Sequence, residues 1–297
     1  MTDVSLKERL TMNTILVAPA AFDMVSAKVI ESAGFEAVYL SGFGQSASHL
    51  GLPDAGLMTL TEIVERVHNM ARAINVPLLA DGDTGYGGVI NVRRTVQEFE
   101  WAGASAIQLE DQEIPKKCGH TEGKKLIDAR RMALKIEAAV ASRRSDDFLV
   151  IARTDARSVL GLEEAIRRGK LYEKAGADVI FIESPQTEEE LRIVADSFDK
   201  PAMANMIEGG KTPLLKATEL NEMGFKLVAF AVSCLLAATK AMQRAMQVLK
   251  EEGSTRAVVA EMMNFGDFND LIGFPEVRSF EAKYKLQTIN KKEETHE

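Results

Sequence analysis

Asp81 and Asp83, one glycine apart at the end of a short apolar run, can aim two carboxylates into one place if the chain bends at Gly82. Glu110 and Asp111 end another such run, and Glu183 a third. Acidic oxygens gathered without histidine suit a hard divalent cation that keeps some of its water, so Mg2+ or Mn2+ rather than zinc. The plainer alternative is that these acids cap helices or pair with Arg153 and Lys117. A second chemistry lies in Lys116-Lys117-Cys118-Gly119-His120, a thiol between two cations and an imidazole. Cationic neighbours lower a thiol pKa, giving a thiolate or a proton donor that returns to thiolate near neutral pH. A lone cysteine is more often inert filler, and Cys234, in the apolar stretch Ala231-Val232-Ser233-Cys234-Leu235-Leu236, reads as one. His49, His68 and His296 have no ligand or triad spacing, and Trp101, Met242, Met246, Met262 and Met263 read as packing on helix faces.

These groups need a frame. Apolar runs at 14–18, 37–41, 77–81, 106–110, 148–153, 178–183, 202–206 and 227–232 predict eight strands. Amphipathic segments lie between them, over 24–33, 61–74, 91–102, 130–142, 162–175 and 188–198. Gly34, Gly103, Gly176 and Gly224 each close a helix just before a strand, the place for a left-handed cap. Strands separated by helices imply parallel βαβ units, and eight in series predict an α/β fold, a (β/α)8 TIM barrel. In such barrels chemistry sits on the loops after the strands. Ser41-Gly42-Phe43, Asp81-Gly82-Asp83, Glu110-Asp111-Gln112, Arg153-Thr154-Asp155, Glu183-Ser184 and Asn205 with Glu208 all fall at that end. Gly85-Tyr86-Gly87-Gly88 has neither the following Gly-Lys-Ser/Thr of a phosphate loop nor a dinucleotide spacing. Residues 1–233 form the barrel core of what is expected to be one domain, and 234–297 carry extra C-terminal helices, at 235–250, 254–265 and 280–285, with a charged end at 290–297 expected to fray.

Composition excludes several classes. The 297 residues are 46% hydrophobic and 27% charged, which is ordinary for a globule. With 36 basic and 44 acidic residues the net charge is −8, so neither nucleic acid nor an anionic membrane is an expected partner. Two cysteines make no disulfide framework. Met1-Thr2-Asp3-Val4-Ser5 opens no signal peptide, and no apolar run is long enough to span a membrane, so a cytoplasmic protein is expected.

Taken together, Asp81-Gly-Asp83-Thr-Gly85, Glu110-Asp111-Gln112, Lys116-Lys-Cys118-Gly-His120, Ala152-Arg153-Thr-Asp155-Ala156 and Asn205-Met-Ile-Glu208-Gly-Gly-Lys211-Thr-Pro213 resemble the isocitrate lyase/phosphoenolpyruvate mutase superfamily. Ala18-Pro19-Ala20-Ala21-Phe22-Asp23 and Ser48-His49-Leu50-Gly51-Leu52-Pro53-Asp54 extend the likeness over nearly the whole chain. The short barrel is similar to the branch of methylisocitrate lyase, 2,3-dimethylmalate lyase and petal death protein. The resemblance implies helix swapping between subunits of a homotetramer, Mg2+ as cofactor (with Mn2+ able to replace it) and a small carboxylate substrate. It gives Asp83 as direct metal ligand, with Asp81 beside it and Glu110 acting through water. Ser41, Gly42 and Phe43 would hold a substrate carboxylate and Asp54 would join the substrate site. Arg153 and Asn205 would bind oxygens of the α-oxo-acid half, oriented by Glu183 and Glu208.

The loop at 116–120 resembles the family's gating loop, and its cysteine argues against an ordinary phosphoenolpyruvate mutase. The implied reaction is cleavage of a 2-hydroxy di- or tricarboxylate to pyruvate and a saturated acid. Tyr39 would take the hydroxyl proton, unless it is simply a packed strand tyrosine. Cys118 would protonate the enediolate-like product, with Lys117 and His120 tuning the thiol. Phe43, Ser184, Pro185, Phe230 and Val232 are candidates for the subsite at carbon 3. Two rivals stay open within the superfamily, an oxaloacetate hydrolase and a carboxyphosphonoenolpyruvate-type phosphonomutase. Outside it, the rival is a barrel that binds without catalysing.

Overall fold

The computed structural model describes residues 4–284, so the chain end at 290–297 and His296 lie outside the described residues, as do Met1 to Asp3. Eight parallel strands close on themselves in sequence order, from β1 (Leu16–Ala21) and β2 (Val38–Leu40) round to β8 (Leu227–Phe230), which pairs with β1. Between these lie β3 (Leu78–Asp81), β4 (Ala106–Glu110), β5 (Leu149–Thr154), β6 (Val179–Ile182) and β7 (Ala202–Met206). All eight expected strands are present. The first runs on through Pro19, whose fixed φ an extended segment accepts, and the last stops at Phe230 because α11 (Ser233–Glu252) begins three residues later.

The two-residue period of the strands explains both the core and the site. One face of each strand fills the barrel, giving a buried cluster that includes Leu16, Ala18, Tyr39, Leu79, Ala106, Ile151, Phe181, Met203 and Leu227. The alternate face, with Val38, Leu40, Ile107, Val150, Ile180 and Val228, packs in a second cluster with the surrounding helices. Stepping two residues onward from Tyr39, Leu79, Ile151, Phe181 and Met203 reaches Ser41, Asp81, Arg153, Glu183 and Asn205, and in β4 the same step from Ala106 reaches Gln108 and then Glu110. Register aligns these steps across the sheet, with Glu110 opposite Arg153.

The glycines at helix ends adopt the left-handed geometry expected of them, with φ of 88°, 100°, 98° and 104° at Gly34, Gly103, Gly176 and Gly224. Three short helices were not expected from the sequence: α1 (Leu6–Arg9), α3 (Gly42–Gln45), which runs into a π-turn at Ser46–Leu50, and α7 (Ala156–Leu160).

The described chain divides into two compact units, one ending at Met242 and one beginning at Gln243. Extra C-terminal helices are present, but not as a helix over 254–265. A 3-10 turn covers Arg256–Glu261, and Asn264 then caps a separate helix, α12 (Phe265–Leu271), by accepting from the Asp267 N–H. The weak helix expected at 280–285 is α13 (Phe274–Lys283); it starts earlier because Pro275 suits a first helical turn. Among the described residues no helix is long and apolar enough to cross a membrane.

Candidate active site

A cavity of about 250 Å³ opens at the C-terminal end of the barrel strands, floored by Tyr39, Phe181 and Met203. Around its wall stand Ser41, Phe43, Asp54, Asp81, Cys118, His120, Arg153, Glu183, Asn205 and Glu208. Of the candidates for the carbon-3 subsite, Phe43 and Val232 line it; Ser184, Pro185 and Phe230 are not among its lining residues.

The carboxylates at the end of β3 converge. Asp83 takes φ of 48°, rare for a residue with a Cβ, and its N–H donates to Asp81 Oδ1 at 3.0 Å. Gly82 must be glycine, since a Cβ there would lie 2.8 Å from Ile107. Gly42 leaves the space in front of the pair free: a Cβ there would meet Asp81 Oδ2 at 2.8 Å and Asp83 Oδ1 at 3.3 Å. Asp81 is held by the Gly42 N–H at 3.3 Å and the Gln108 amide at 3.3 Å. Burial pushes the Asp83 carboxyl up to about 6, against the pull of Lys116 and with the help of Asp81 and Asp54. It pushes Glu110 well above the carboxylate range, against Arg153 and Lys116. Glu110 Oε1 has no hydrogen-bond partner in the protein. Two convergent oxygen donors and a third buried acid with an unpartnered oxygen fit a hard divalent cation. Glu110 does not close with the pair into a compact cluster: among the described residues no group of three His, Cys, Asp or Glu forms one.

The segment after β4 is pinned at its ends, where Gln112 bridges Leu126 and the Glu113 N–H donates to the Lys125 carbonyl. Between those points it folds over the cavity, and its two lysines part company. Lys116 is buried, 2.5 Å from Asp54 and 2.8 Å from Asp83. Lys117 is exposed; neither lysine lines the cavity, but Lys116 is the one that pairs with the site's carboxylates. The two cations therefore do not flank the thiol. Burial pushes the Cys118 thiol up, opposed by the His120 N–H, which corrects the expectation of a lowered pKa: Cys118 is a thiol that holds its proton.

His120 accepts from the Lys211 N–H on Nδ1 at 3.0 Å, so its Nε2 carries the proton shared with Glu183 at 3.0 Å. Glu183 also takes Arg153 at 3.2 Å and the Asn205 amide at 3.2 Å. Burial opposes its charge, but Arg153 and His120 hold its carboxyl below the usual range. Arg153 is buried too, and Asp155, Glu183 and Glu110 keep it charged. Asn205 Oδ1 and Glu208 Oε2 have no protein partner, and the other Glu208 oxygen accepts from Ser233. Tyr39 donates to Gln108 at 2.9 Å, and burial with Asp81 raises its hydroxyl well above the ordinary value. As it stands Tyr39 is a donor and not a base.

Sequence reasoning missed Gln108, although the alternation Ala106, Gln108, Glu110 places it inward. It also missed the dependence of loop closure on Gly119, where a Cβ would lie 2.3 Å from Arg153 and 2.7 Å from Glu183. We expect Gly119→Ala to reduce turnover by about 100-fold while the melting temperature hardly moves, the cost of displacing a catalytic group by about 1 Å. Parallel steady-state assays and thermal melts check this, and an active Gly119→Ala enzyme would show that the loop acts from elsewhere.

The Phosphoenolpyruvate phosphomutase family model matches residues 6–250. The chain is 47% identical to the 2,3-dimethylmalate lyase of Eubacterium barkeri over 283 residues, covering 95% of this chain and 98% of that one. Among solved structures, oxaloacetate acetylhydrolase in complex with 3,3-difluorooxalacetate superposes with a TM-score of 0.91 at 31% identity, covering 96% of this chain and 97% of that one. Phosphonopyruvate hydrolase in complex with oxalate and Mg++ does so with a TM-score of 0.85 at 33% identity, covering 94% and 97%. The chain belongs to the phosphoenolpyruvate mutase family of the isocitrate lyase superfamily and is an enzyme whose relatives include named lyases.

Proposed function

We propose that the enzyme cleaves a 2-hydroxy di- or tricarboxylate of the 2,3-dimethylmalate or 2-methylisocitrate type to pyruvate and a saturated carboxylic acid, with Mg2+ as cofactor and Mn2+ able to replace it. The observation that carries this reading is Cys118 facing a cavity that also holds Arg153 and Asp81, with Asp83 hydrogen-bonded to Asp81 just behind its wall. Asp81 and Asp83 would hold the cation, with Glu110 behind them. When bound, it would supply positive charge at the 2-hydroxyl and adjacent carboxylate and offset the anions that oppose ionisation of Tyr39.

The chain's own residues do the rest. Arg153 and the Asn205 amide bind oxygens of the α-oxo-acid half, and Glu183 keeps Arg153 in place. Ser41 and the Gly42 and Phe43 N–H groups receive a carboxylate. Tyr39, having released its own proton to solvent as a bound cation would favour, takes the hydroxyl proton as its phenolate while the carbon–carbon bond breaks and the pair of electrons passes to the departing fragment. Cys118 then gives its proton to that carbanion, and burial under the loop excludes the water that would compete. Phe43, Ile207, Val232 and Leu236 offer an apolar wall for alkyl substituents. Exposed Phe265 and Phe280 in the C-terminal helices are in keeping with a homotetramer, and two free cysteines with a cytoplasmic location.

An oxaloacetate hydrolase is the second reading, favoured by the TM-score of 0.91 with oxaloacetate acetylhydrolase. A carboxyphosphonoenolpyruvate-type phosphonomutase is the third, since the loop cysteine does not exclude it. An assay of keto-acid release with and without EDTA tests all three, over 2,3-dimethylmalate, 2-methylisocitrate, 2-ethylmalate, isocitrate and oxaloacetate. EDTA-sensitive pyruvate from an alkylated diacid is the expected result. Oxalate and acetate from oxaloacetate alone would replace the lyase by the hydrolase, and inactivity on every acid would move the search to phosphonates.

A further inference from the structure

Behind the cavity, and not lining it, lies a buried ion pair that none of the roles above uses. Lys124, in the last part of the loop, has a side chain only 1% exposed. Its ammonium donates to the Gly119 carbonyl and, at 3.3 Å, to the Thr121 carbonyl. It also lies 3.7 Å from Asp155 Oδ1. Asp155 is fully buried, and its two oxygens take the Arg153 guanidinium in a fork, both at 3.0 Å. Asp155 is itself held in place by a neighbouring acid: its N–H donates to Asp111 Oδ1 at 3.0 Å. The other Asp111 oxygen accepts from Thr154 at 2.7 Å, Arg168 at 2.9 Å and Tyr172 at 2.7 Å, the last two from α8 (Leu162–Lys174).

An anion braced this way does not move with the loop. We propose that Asp155 and Lys124 are a positioning pair: the fixed carboxylate orients Arg153 on one side and, on the other, anchors the lysine that clamps the Gly119 carbonyl and so seats Cys118 over the substrate. The geometry makes this economical. The Gly119 carbonyl belongs to the residue directly after Cys118, so fixing it leaves the thiol little freedom. The clamp also costs little only while Lys124 keeps a charged partner, because an ammonium buried without one is expensive. One anion thus holds the group that binds substrate and the loop that carries the acid. The inference rests on the lyase reading only for the role of Cys118; the seating of the thiol is independent of it.

The test is the rate at which iodoacetamide alkylates Cys118, followed by peptide mass spectrometry on the full chain, which separates it from Cys234. Lys124→Met is expected to raise that rate about tenfold by letting the loop open locally, whereas Lys124→Arg stays near wild type because it restores both charge and donor. In turnover, Lys124→Met should lower kcat about 100-fold with KM changed little, while Asp155→Asn raises KM as well because Arg153 is released. Should Lys124→Met not fold, Lys124→Gln carries the same comparison with arginine. Alkylation at the wild-type rate in the uncharged variant, or arginine no better than methionine, would overturn the pairing. If the wild-type enzyme turns over none of the acids, the lyase reading falls, and the alkylation rates still decide whether the pair seats the thiol.

Discussion

Cys118→Ser is expected to lower kcat by about 1000-fold while binding of oxalate, used as a stand-in for the α-oxo-acid half, stays within a few-fold of wild type. The reason is the environment of the sulfur. Burial keeps the thiol protonated, which is the state a donor to carbon requires, and the loop places it at the cavity wall. A serine hydroxyl of nearly the same size makes the same contacts, but its proton is far less acidic and is not delivered to a carbanion at a useful rate. Arg153, Asn205 and the β3 carboxylates do not involve the sulfur, so affinity should survive. Isothermal titration with oxalate and single-turnover pyruvate release separate the two effects. A serine variant with wild-type kcat would take Cys118 out of the mechanism, and one that loses oxalate binding would make it a structural residue.

Asp83→Asn should abolish Mg2+-dependent turnover and, in EDTA at pH 8, raise the melting temperature rather than lower it. Burial, together with Asp81 and Asp54, lifts the folded-state pKa of Asp83 to about 6, above its ordinary value of 3.8. A raised pKa means that the folded state favours the proton. The metal-free protein therefore has this contribution in full below pH 3.8 and loses it as pH rises through about 6. At pH 8 the buried charge costs on the order of 1–3 kcal/mol, which the amide removes. For a chain of this size that corresponds to a gain of roughly 2–6 °C. Adding Mg2+ should raise the wild-type melting temperature and leave that of the variant unchanged. If Mg2+ stabilises both proteins equally, Asp83 is no ligand. If the variant melts lower at pH 8 in EDTA, its pairing with Lys116 outweighs the burial of its charge.

Much of this enzyme was legible before folding was considered. Alternating apolar runs and helical segments predict the barrel, because strands separated by helices pair in parallel and eight such units in series favour a closed sheet over an open one. The alternation of faces along each strand also carries the site: two residues beyond the last inward core side chain come Asp81, Arg153, Glu183 and Asn205, and one inward position past Gln108 comes Glu110, all at one end of the barrel. Glycine was readable where a helix ends in a left-handed cap, as at Gly103, since a residue without a Cβ adopts that geometry at little cost.

Other features depend on distance and burial, which no spacing encodes. The sequence sets Lys116 and Lys117 side by side, but only the path of the loop sends one to Asp54 and Asp83 and leaves the other in solvent. The charges flanking Cys118 in the chain suggest a thiolate, whereas in space one is spent on carboxylates and the sulfur is buried, so its pKa moves the other way. Asp111 sits among the strand-end acids in sequence, yet it points outward to Arg168 and Tyr172, while Asp155 turns back to Arg153. Residue types and strand period decide which groups reach the mouth of the barrel; which of them are charged, paired or poised to react is decided by the low dielectric of the closed site and by the partners that only tertiary structure brings within 3 Å.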